Sequence, residues 1–290
     1  MAFAQHPLPQ SHVVPPGTMP TTNGDLQRRY QAIVSDARYR HFTRIPERIA
    51  RLLDRFQVDF NRAAVQTRLL SHYLFIAVVD DAIDSGEEGV AQTVFDVLTD
   101  GVCISNEVSY GSDVAVVTAI LKSHFADDNR AAIRRSLQRG HREVIRERAA
   151  TSIGEYIKHR KILGRVTAKQ SYLLIRSELR ESNQKLCCLM EEIGAVGCLV
   201  DTMIDIHEDH RSGLLSFELT TANYATLCFS TVVAGLCVLA KKPTLIFLLA
   251  EAVLDNIRDR GRVPASVSLP ATSSLQHSAR SFRDSVAPPL

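Results

Sequence analysis

The chain has 290 residues and a formal net charge of +2, with 34 basic side chains against 32 acidic ones. This near-balance excludes the large basic excess of a protein that wraps nucleic acid, so no nucleic-acid partner is expected. Apolar residues make up 45% of the chain, which is enough for a sizeable core in one large domain. Six cysteines without a C-x-x-C pair argue against a zinc site. They favour buried, reduced thiols in a cytoplasmic protein.

Both ends of the sequence differ in composition from its middle. Residues 1–24 contain five prolines and predict a flexible N-terminal arm. Residues 263–290 are rich in Ser, Pro and Ala and predict a flexible C-terminal tail. Residues 25–262 hold only two prolines, so long helices are unobstructed there. A single all-α domain is therefore expected between the two ends.

Apolar residues recur at helical spacing through most of this domain. Helices are predicted, in chain order, at 49–56, 58–73, 90–98, 114–125, 131–148, 153–178, 182–207 and 243–260. The arginines along 131–148 have no aromatic residues between them, so they predict a solvated helix face rather than a nucleic-acid stripe. With no alternating strand pattern, the expected architecture is a helical bundle of about eight to ten helices.

One long segment, residues 219–240, contains no charged residue and is followed by Lys241 and Lys242. Its length is sufficient to span a bilayer. Thr, Asn and Ser residues dilute its apolar character, however, and a helix through the centre of an all-α fold has the same composition. A buried core helix is expected here, and contact with a membrane is the alternative.

A first acidic cluster ends the apolar run 73–79. Asp84 lies four residues after Asp80 and three after Asp81, so all three can share one side of a helix. Carboxylates at the carboxyl end of a helix are opposed by the helix dipole and by one another. A bound cation relieves both penalties, and carboxylate oxygens suit Mg²⁺, which also binds substrate phosphates.

A second acidic cluster follows the apolar run 193–200. Asp201, Asp205 and Asp209 recur every four residues and form a stripe about 12 Å long. Apolar residues between these acids indicate that the helix still packs against a core. Two such clusters in one all-α chain predict facing helices whose carboxylates hold Mg²⁺ around a diphosphate.

Together the two clusters resemble the paired motifs of the class I terpenoid (isoprenoid) synthase superfamily, most closely those of its squalene/phytoene synthase branch. The first motif of that branch is Tyr, six residues and Asp-x-x-x-Asp, as at Tyr73, Asp80 and Asp84 here. Its second motif, Asn-x-x-x-Asp-x-x-Glu-Asp followed by basic residues and Gly, is similar to 201–213, with Asp201 at the Asn position. The likeness covers roughly half of the chain.

The resemblance implies a single helical domain of the class I terpenoid synthase type that binds a prenyl diphosphate with two or three Mg²⁺ ions. The catalytic carboxylates that it implies are Asp80, Asp81, Asp84, Asp205 and Asp209. The metal ligands are these five together with Asp201 and Glu208.

Cationic and aromatic side chains complete the implied site. The cations against the diphosphate are Arg160, Lys161 and Arg211. Arg160 and Gly164 are similar to the Arg-x-x-x-Gly region of the terpene cyclases, and a glycine inside a long helix predicts a kink or a close approach. Aromatic faces stabilise a carbocation, and the pocket candidates are Tyr73, Phe75, Tyr156, Tyr172 and Phe217.

Two departures separate this sequence from the head-to-head synthases of that branch. Residues 77–79 are Ala, Val and Val where those enzymes carry Arg, and their early Ser/Tyr-rich motif has no counterpart near 40–60. The Asp-Asp-x-x-Asp pattern is similar instead to that of terpene cyclases. The expected function is therefore a Mg²⁺-dependent class I terpene synthase, which ionises a prenyl diphosphate, cyclises or rearranges the carbocation and releases diphosphate.

Two alternative functions stay open. The first is head-to-head condensation of two prenyl diphosphates, although the absence of G-x-G-x-x-G gives no support to a nicotinamide step. The second is a non-catalytic helical protein that binds isoprenoids or a membrane. Peripheral membrane association and a homodimer are both compatible with the sequence.

Overall fold

In the computed structural model, the described residues are 23–87, 89–99, 112–181, 184–247, 250 and 254. Helix covers 83% of them and none belongs to a β-sheet strand, so the all-α prediction is confirmed. The α-helices among them are α1 Asn23–Ser35, α2 Arg40–Arg55, α3 Arg62–Asp84, α4 Val90–Thr99, α5 Asp113–Ser123, α6 Arg130–Arg148, α7 Ile153–Ile175, α8 Gln184–Arg211 and α9 Thr221–Lys241. Short 3₁₀ helices lie at Ala37–Tyr39, Arg176–Glu178 and Pro243–Leu245.

Helix α1 was not among the helices that the sequence predicted. It begins at Asn23, inside the range given to the N-terminal arm, whereas residues 1–22 and the predicted tail 263–290 lie outside the described residues. Its Leu26, Tyr30 and Ile33 recur at helical spacing and are buried in the core beside α5. The folded domain therefore starts slightly earlier than predicted, because three apolar side chains suffice to dock this otherwise polar helix.

The junction between α6 and α7 sets the geometry of one end of the bundle. Ser152 Oγ accepts a hydrogen bond from the Glu155 N–H at 3.3 Å, and the Glu155 carboxylate accepts one from the Thr151 N–H at 3.0 Å. This reciprocal capping satisfies one free N–H group in the first turn of α7 and one N–H group directly before the helix. Only residues 149–152 separate the two helices, so the end of α6 lies beside the start of α7.

Three hydrophobic clusters form the core. The first joins α1, α3, α4 and α5 and includes Leu74, and the second joins α2, α3, α7 and α8 and includes Leu53. The third joins α7, α8 and α9 through side chains such as Ile206, which is completely buried. Because Ile206 lies between Asp205 and Asp209, the second acidic cluster borders this core, as the sequence predicted.

Helices α7 and α8 cross in direct backbone contact. A Cβ atom on Gly164 would lie 2.3 Å from the Gly194 carbonyl oxygen, and one on Gly194 would lie 2.4 Å from the Gly164 carbonyl oxygen. Helix α7 continues through this point without interruption. Of the two predicted reasons for Gly164, a kink or a close approach, the structure has the close approach.

A buried polar network connects α3 to α7. The ring of His72 is completely buried, with Nε2 3.0 Å from Gln170 Oε1 and Nδ1 3.2 Å from Ser171 Oγ. Burial lowers the pKa of His72 to about 4, so the ring is neutral near pH 7. Ser171 Oγ also lies 3.1 Å from the Tyr73 hydroxyl. These contacts fix α3 against α7 close to the first acidic cluster.

The prediction of a buried core helix at 219–240 is wrong. Only 17% of the most apolar window of α9 is buried, and α9 is the one helix among the described residues that is long and apolar enough to cross a membrane. Leu227 and Val238 pack into the core, whereas Phe229 is 71% exposed and Leu236 is 59% exposed. The physical reason is position, since α9 lies at the edge of the bundle and packs through one side only.

The cysteines are only partly buried. Five lie among the described residues, and all five are free thiols. Cys187 is buried, but Cys188 and Cys237 are exposed; the burial prediction is wrong for these two because they lie on the outward sides of α8 and α9. Cys103 lies outside the described residues.

Candidate functional site

The two acidic clusters lie at the same end of the bundle. Helices α3, α6 and α8 end there, and α7 begins there. Asp80 and Asp84 belong to the last turns of α3, and Asp201, Asp205 and Asp209 belong to the last turns of α8. The amino-terminal part of α7 passes beside both and brings Arg160 to them.

Arg160 connects three helices at this end. Its Nε donates to Thr202 Oγ1 at 2.6 Å, and its guanidinium donates to Glu147 Oε1 at 3.2 Å and lies 3.8 Å from Asp201 Oδ2. Burial acts to lower the pKa of Arg160, but the neighbouring acidic groups outweigh it and hold that pKa well above its ordinary value. Arg160 is therefore a permanent positive charge that is surrounded by acids.

Asp80 is crowded by protein at this end of the bundle, and we call the space between these carboxylates and arginines the cleft. Burial and, to a smaller extent, the charge on Asp84 raise the pKa of Asp80 to about 7 against the opposing effect of Arg160 and Arg148. The side chain nevertheless keeps solvent-accessible surface. The raised pKa and the exposure are compatible, because protein atoms surround the carboxylate on several sides while solvent still reaches it. Asp80 is thus poised between its charged and neutral forms near pH 7.

Asp209 links the second cluster to the first. Burial is the main cause that raises the pKa of Asp209 to about 6. Arg160 opposes this effect, and the charges on Asp84, Glu147 and Asp201 contribute to it. Because Asp84 belongs to α3 and Asp209 to α8, the pKa effect requires the two clusters to lie within electrostatic reach. The structure therefore brings members of both clusters around Arg160.

Arg148, the last residue of α6, forms an ion pair with Asp84. Both side chains are about one-third exposed, at 35% and 39%. The Arg148 carbonyl oxygen accepts a hydrogen bond from Ser216 Oγ at 2.7 Å, which holds the loop after α8 in place. A second arginine therefore faces the carboxylates at the mouth of the cleft.

Asp81 faces another direction. Its carboxylate accepts a hydrogen bond from Arg38 at 2.9 Å and one from the Tyr39 hydroxyl at 2.8 Å. One residue corresponds to about 100° of helix rotation, so Asp81 turns away from Asp80 towards the 3₁₀ helix Ala37–Tyr39. In this structure Asp81 connects α3 to the amino-terminal helices.

The remaining charged residues predicted for the site lie at its edge. Asp205 is half-buried and Glu208 is exposed. Arg211 is exposed at the end of α8, where its Nε donates to the His207 carbonyl oxygen at 3.3 Å. Lys161 faces away from Arg160. It lines an open groove of about 460 Å³ on α7, whose lining residues include no carboxylate: Gly154, Ile157, Lys158, Lys161, Ile162 and Arg165.

The five predicted pocket aromatics do not line one pocket. Tyr156 and Phe217 pack together with ring centroids 5.6 Å apart in the third cluster, and Asp209 is close enough to affect the pKa of Tyr156. Phe75 lies in the first cluster, and Tyr73 and Tyr172 belong to the second. The structure therefore differs from the predicted single aromatic pocket. The reason is that residues two apart on a helix, such as 73 and 75, point about 200° away from each other.

The donor groups at the cleft fit Mg²⁺ in chemistry, although the site is not preassembled. Among the described residues, no three His, Cys, Asp or Glu side chains lie close enough to hold a metal ion by themselves. Mg²⁺ commonly uses one or two carboxylates and completes its shell with water and phosphate oxygens. Burial is the main cause of the raised pKa values of Asp80 and Asp209, and neighbouring carboxylates add to it. A bound cation would relieve both effects.

Three residues of this site were not predicted from the sequence: Glu147, Arg148 and Thr202. Arg148 had been assigned to a solvated helix face. The signal that could have located it is the short connection 149–152, because antiparallel helices joined by so few residues place the end of the first beside the start of the second.

The raised pKa of Asp80 predicts how stability depends on pH in the metal-free protein. Between the ordinary value of 3.8 and the folded value of about 7, the folded protein binds more protons than the unfolded chain, so stability falls as pH rises. We expect Asp80→Asn to raise the free energy of unfolding by about 1 kcal/mol near pH 8, allowing for solvent screening. The gain should vanish near pH 4 in urea denaturation. An equal gain at both pH values would contradict this assignment.

Carboxylates from α3 and α8 and arginines from α6 and α7 thus share one cleft. Beside it lies an aromatic pair, Tyr156 and Phe217. Comparison with known proteins finds no matching family model, no matching curated protein and no matching solved structure.

Proposed function

We propose that the protein is a Mg²⁺-dependent terpene synthase with the fold of the class I terpenoid synthases. It would ionise one prenyl diphosphate and cyclise or rearrange the carbocation. The observation that supports this most strongly is the meeting of Asp80 and Asp84 with Asp201 and Asp209 around Arg160. Carboxylates gathered in one place favour a cationic ligand, and the flanking arginines can exchange their carboxylate partners for an anionic ligand. A metal–diphosphate complex supplies both.

The arginines bind and orient the diphosphate in this proposal. Each guanidinium offers a planar set of donors to phosphate oxygens. Arg148 is paired with Asp84, and Arg160 with Glu147, so the diphosphate takes the place of a carboxylate at each. Asp80, Asp84, Asp205 and Asp209 would hold Mg²⁺, which neutralises the charge that develops on the departing diphosphate.

The third hydrophobic cluster protects the cation from water. Leu199, Ile206 and Leu227 are completely buried beside the cleft. Tyr156 and Phe217 present aromatic rings next to Asp209, and such faces contribute about 0.5–2 kcal/mol each to a nearby cation. The isoprenoid chain would enter this cluster beside Phe217, which is partly exposed.

The residues before the first motif favour one substrate over two. Ala77 and Val78 are 4% and 3% exposed and belong to the first hydrophobic cluster. Coupling two prenyl diphosphates needs cations for the second diphosphate, and these buried apolar side chains offer none. Cyclisation or rearrangement of a single substrate is therefore the preferred reaction, with head-to-head condensation as the alternative.

A non-catalytic protein is the second candidate. It is favoured by the pairing of Asp81 with Arg38 and of Asp84 with Arg148, since these ion pairs give the carboxylates a structural use. It would bind isoprenoids at the same end of the bundle without turnover. The free thiols of the described cysteines suit the cytoplasm for either candidate.

The test uses the full chain with geranyl, farnesyl, geranylgeranyl and geranylfarnesyl diphosphates, each with and without Mg²⁺. Diphosphate release and extracted hydrocarbons are measured. A Mg²⁺-dependent product with the carbon count of one substrate supports the proposal. A product with doubled carbon count assigns head-to-head condensation instead. If no substrate releases diphosphate, the enzyme proposal is rejected in favour of the non-catalytic candidate.

A further inference from the structure

Large apolar side chains are exposed along α9 and directly after it. We define the apolar face as Phe229, Val232, Val233, Leu236, Ile246 and Phe247, which are between 41% and 73% exposed. Single exposed apolar residues are ordinary on protein surfaces, but a continuous group of them marks a binding surface.

The apolar face occupies one side of a helix whose other side is docked. Phe229, Val233 and Leu236 recur at helical spacing along α9. On the opposite side, Leu227 and Val238 are buried against the bundle at 0% and 3% exposure. Helix α9 is therefore held by the protein through one side and presents an apolar surface through the other.

The charges around this face are mainly positive. Residues 219–240 contain no charged side chain. At the carboxyl end of α9, Lys242 is exposed with its Nζ 5.8 Å from the Phe56 ring centroid, and Arg55 donates to the Thr244 carbonyl oxygen at 3.1 Å. Lys241 adds a third cation, although its charge is balanced by Glu192. Lys242 and Thr244, the partner of Arg55, come shortly before the exposed Ile246 and Phe247 in the sequence.

We propose that the apolar face binds the surface of a bilayer containing anionic lipids, with α9 lying in the plane of the membrane interface. An apolar helix side with cations at its border matches acyl chains below anionic headgroups. A second copy of the chain would cover the same apolar side, and the experiment below distinguishes it from a bilayer. A spanning orientation would remove Leu227 and Val238 from the core.

This proposal does not rest on the proposed function, since no catalytic residue belongs to the apolar face. The test is flotation of the full chain with vesicles of phosphatidylcholine alone or mixed with phosphatidylglycerol. We expect binding to the mixed vesicles that high salt weakens. The double variant Phe229→Gln/Leu236→Gln should lower the partition coefficient at least about tenfold. Lys242→Gln should weaken binding to the anionic vesicles alone.

The matched control is Ile145→Gln, because Ile145 is an exposed apolar residue of α6, 40% exposed and outside the apolar face. It should bind vesicles as the original chain does, and circular dichroism should show equal helix content in every variant. Failure of the original chain to float with anionic vesicles would overturn the proposal. So would unchanged binding of the double variant, or a dimer in light scattering that the double variant dissociates. Retention on vesicles after alkaline carbonate extraction would overturn the in-plane orientation.

Discussion

Asp84→Asn and Asp209→Asn are each expected to lower turnover of a prenyl diphosphate by at least about 10³-fold. Each change removes one charge from the cleft while keeping the shape of the side chain. The repulsion between Asp84 and Asp209 that contributes to the raised pKa of Asp209 also disappears, so the fold should be retained. The measurements are the rate of diphosphate release at saturating Mg²⁺ and the far-ultraviolet circular dichroism of each variant.

The control for this pair is Asp127→Asn, because Asp127 has 94% side-chain exposure and forms only a local ion pair with Arg130. Its turnover should equal that of the original chain. Asp81→Asn separates structure from chemistry, since Asp81 contacts Arg38 and Tyr39 rather than the cleft; its main effect should be on thermal stability. Full turnover in both cleft variants would show that the carboxylates do not act in catalysis.

Gly164→Ala is expected to cost about 3 kcal/mol of folding free energy, which corresponds to a Tm lower by about 6–12 °C. The added Cβ would meet the Gly194 carbonyl oxygen at 2.3 Å and Cys198 Cβ at 2.8 Å. Neither atom is the end of a flexible side chain, so the two helices must separate. Urea and thermal denaturation measure the loss.

Gly197→Ala is the matched control because Gly197 lies in α8 and a Cβ there meets no atom within 4 Å. This variant should gain up to about 1 kcal/mol from helix propensity. The two glycine variants thus differ in the sign of their effect. If Gly164→Ala were as stable as the original chain, the backbone contact between α7 and α8 would be wrong.

The sequence was sufficient to predict most of the helices, but neither α1 nor the partners against which the helices pack. The helices at 90–98, 131–148 and 153–178 lie within a few residues of the observed α4, α6 and α7, because periodic apolar residues report local structure directly. The exposure of α9 could not be read in this way. A helix at the edge of a bundle and one at its centre can have the same composition, and only the packing of α8 and α9 separates them.

The same limit applies to the candidate site. Spacing along α3 and α8 located both acidic clusters, since residues four apart share a helix face. It did not show that Asp81 turns to Arg38 or that Arg148 reaches Asp84, because these contacts join residues far apart in sequence. A shared pocket of the aromatic residues could not be predicted reliably for a related reason. Phe75 and Tyr172 lie in separate hydrophobic clusters, which only the three-dimensional packing defines.

The crossing at Gly164 and Gly194 also determines which parts of the protein can move. Where two backbones touch, no side chain can change rotamer to let one helix slide along the other. Arg160 and Asp201 therefore belong to a rigid pair of helices, α7 and α8. The end of α3 meets α6 at this cleft through the ion pair of Asp84 and Arg148, which can break and re-form. Any opening of the cleft would then displace the end of α3 against the α7–α8 pair, and amide hydrogen exchange should be slower beside the two glycines than near Asp84.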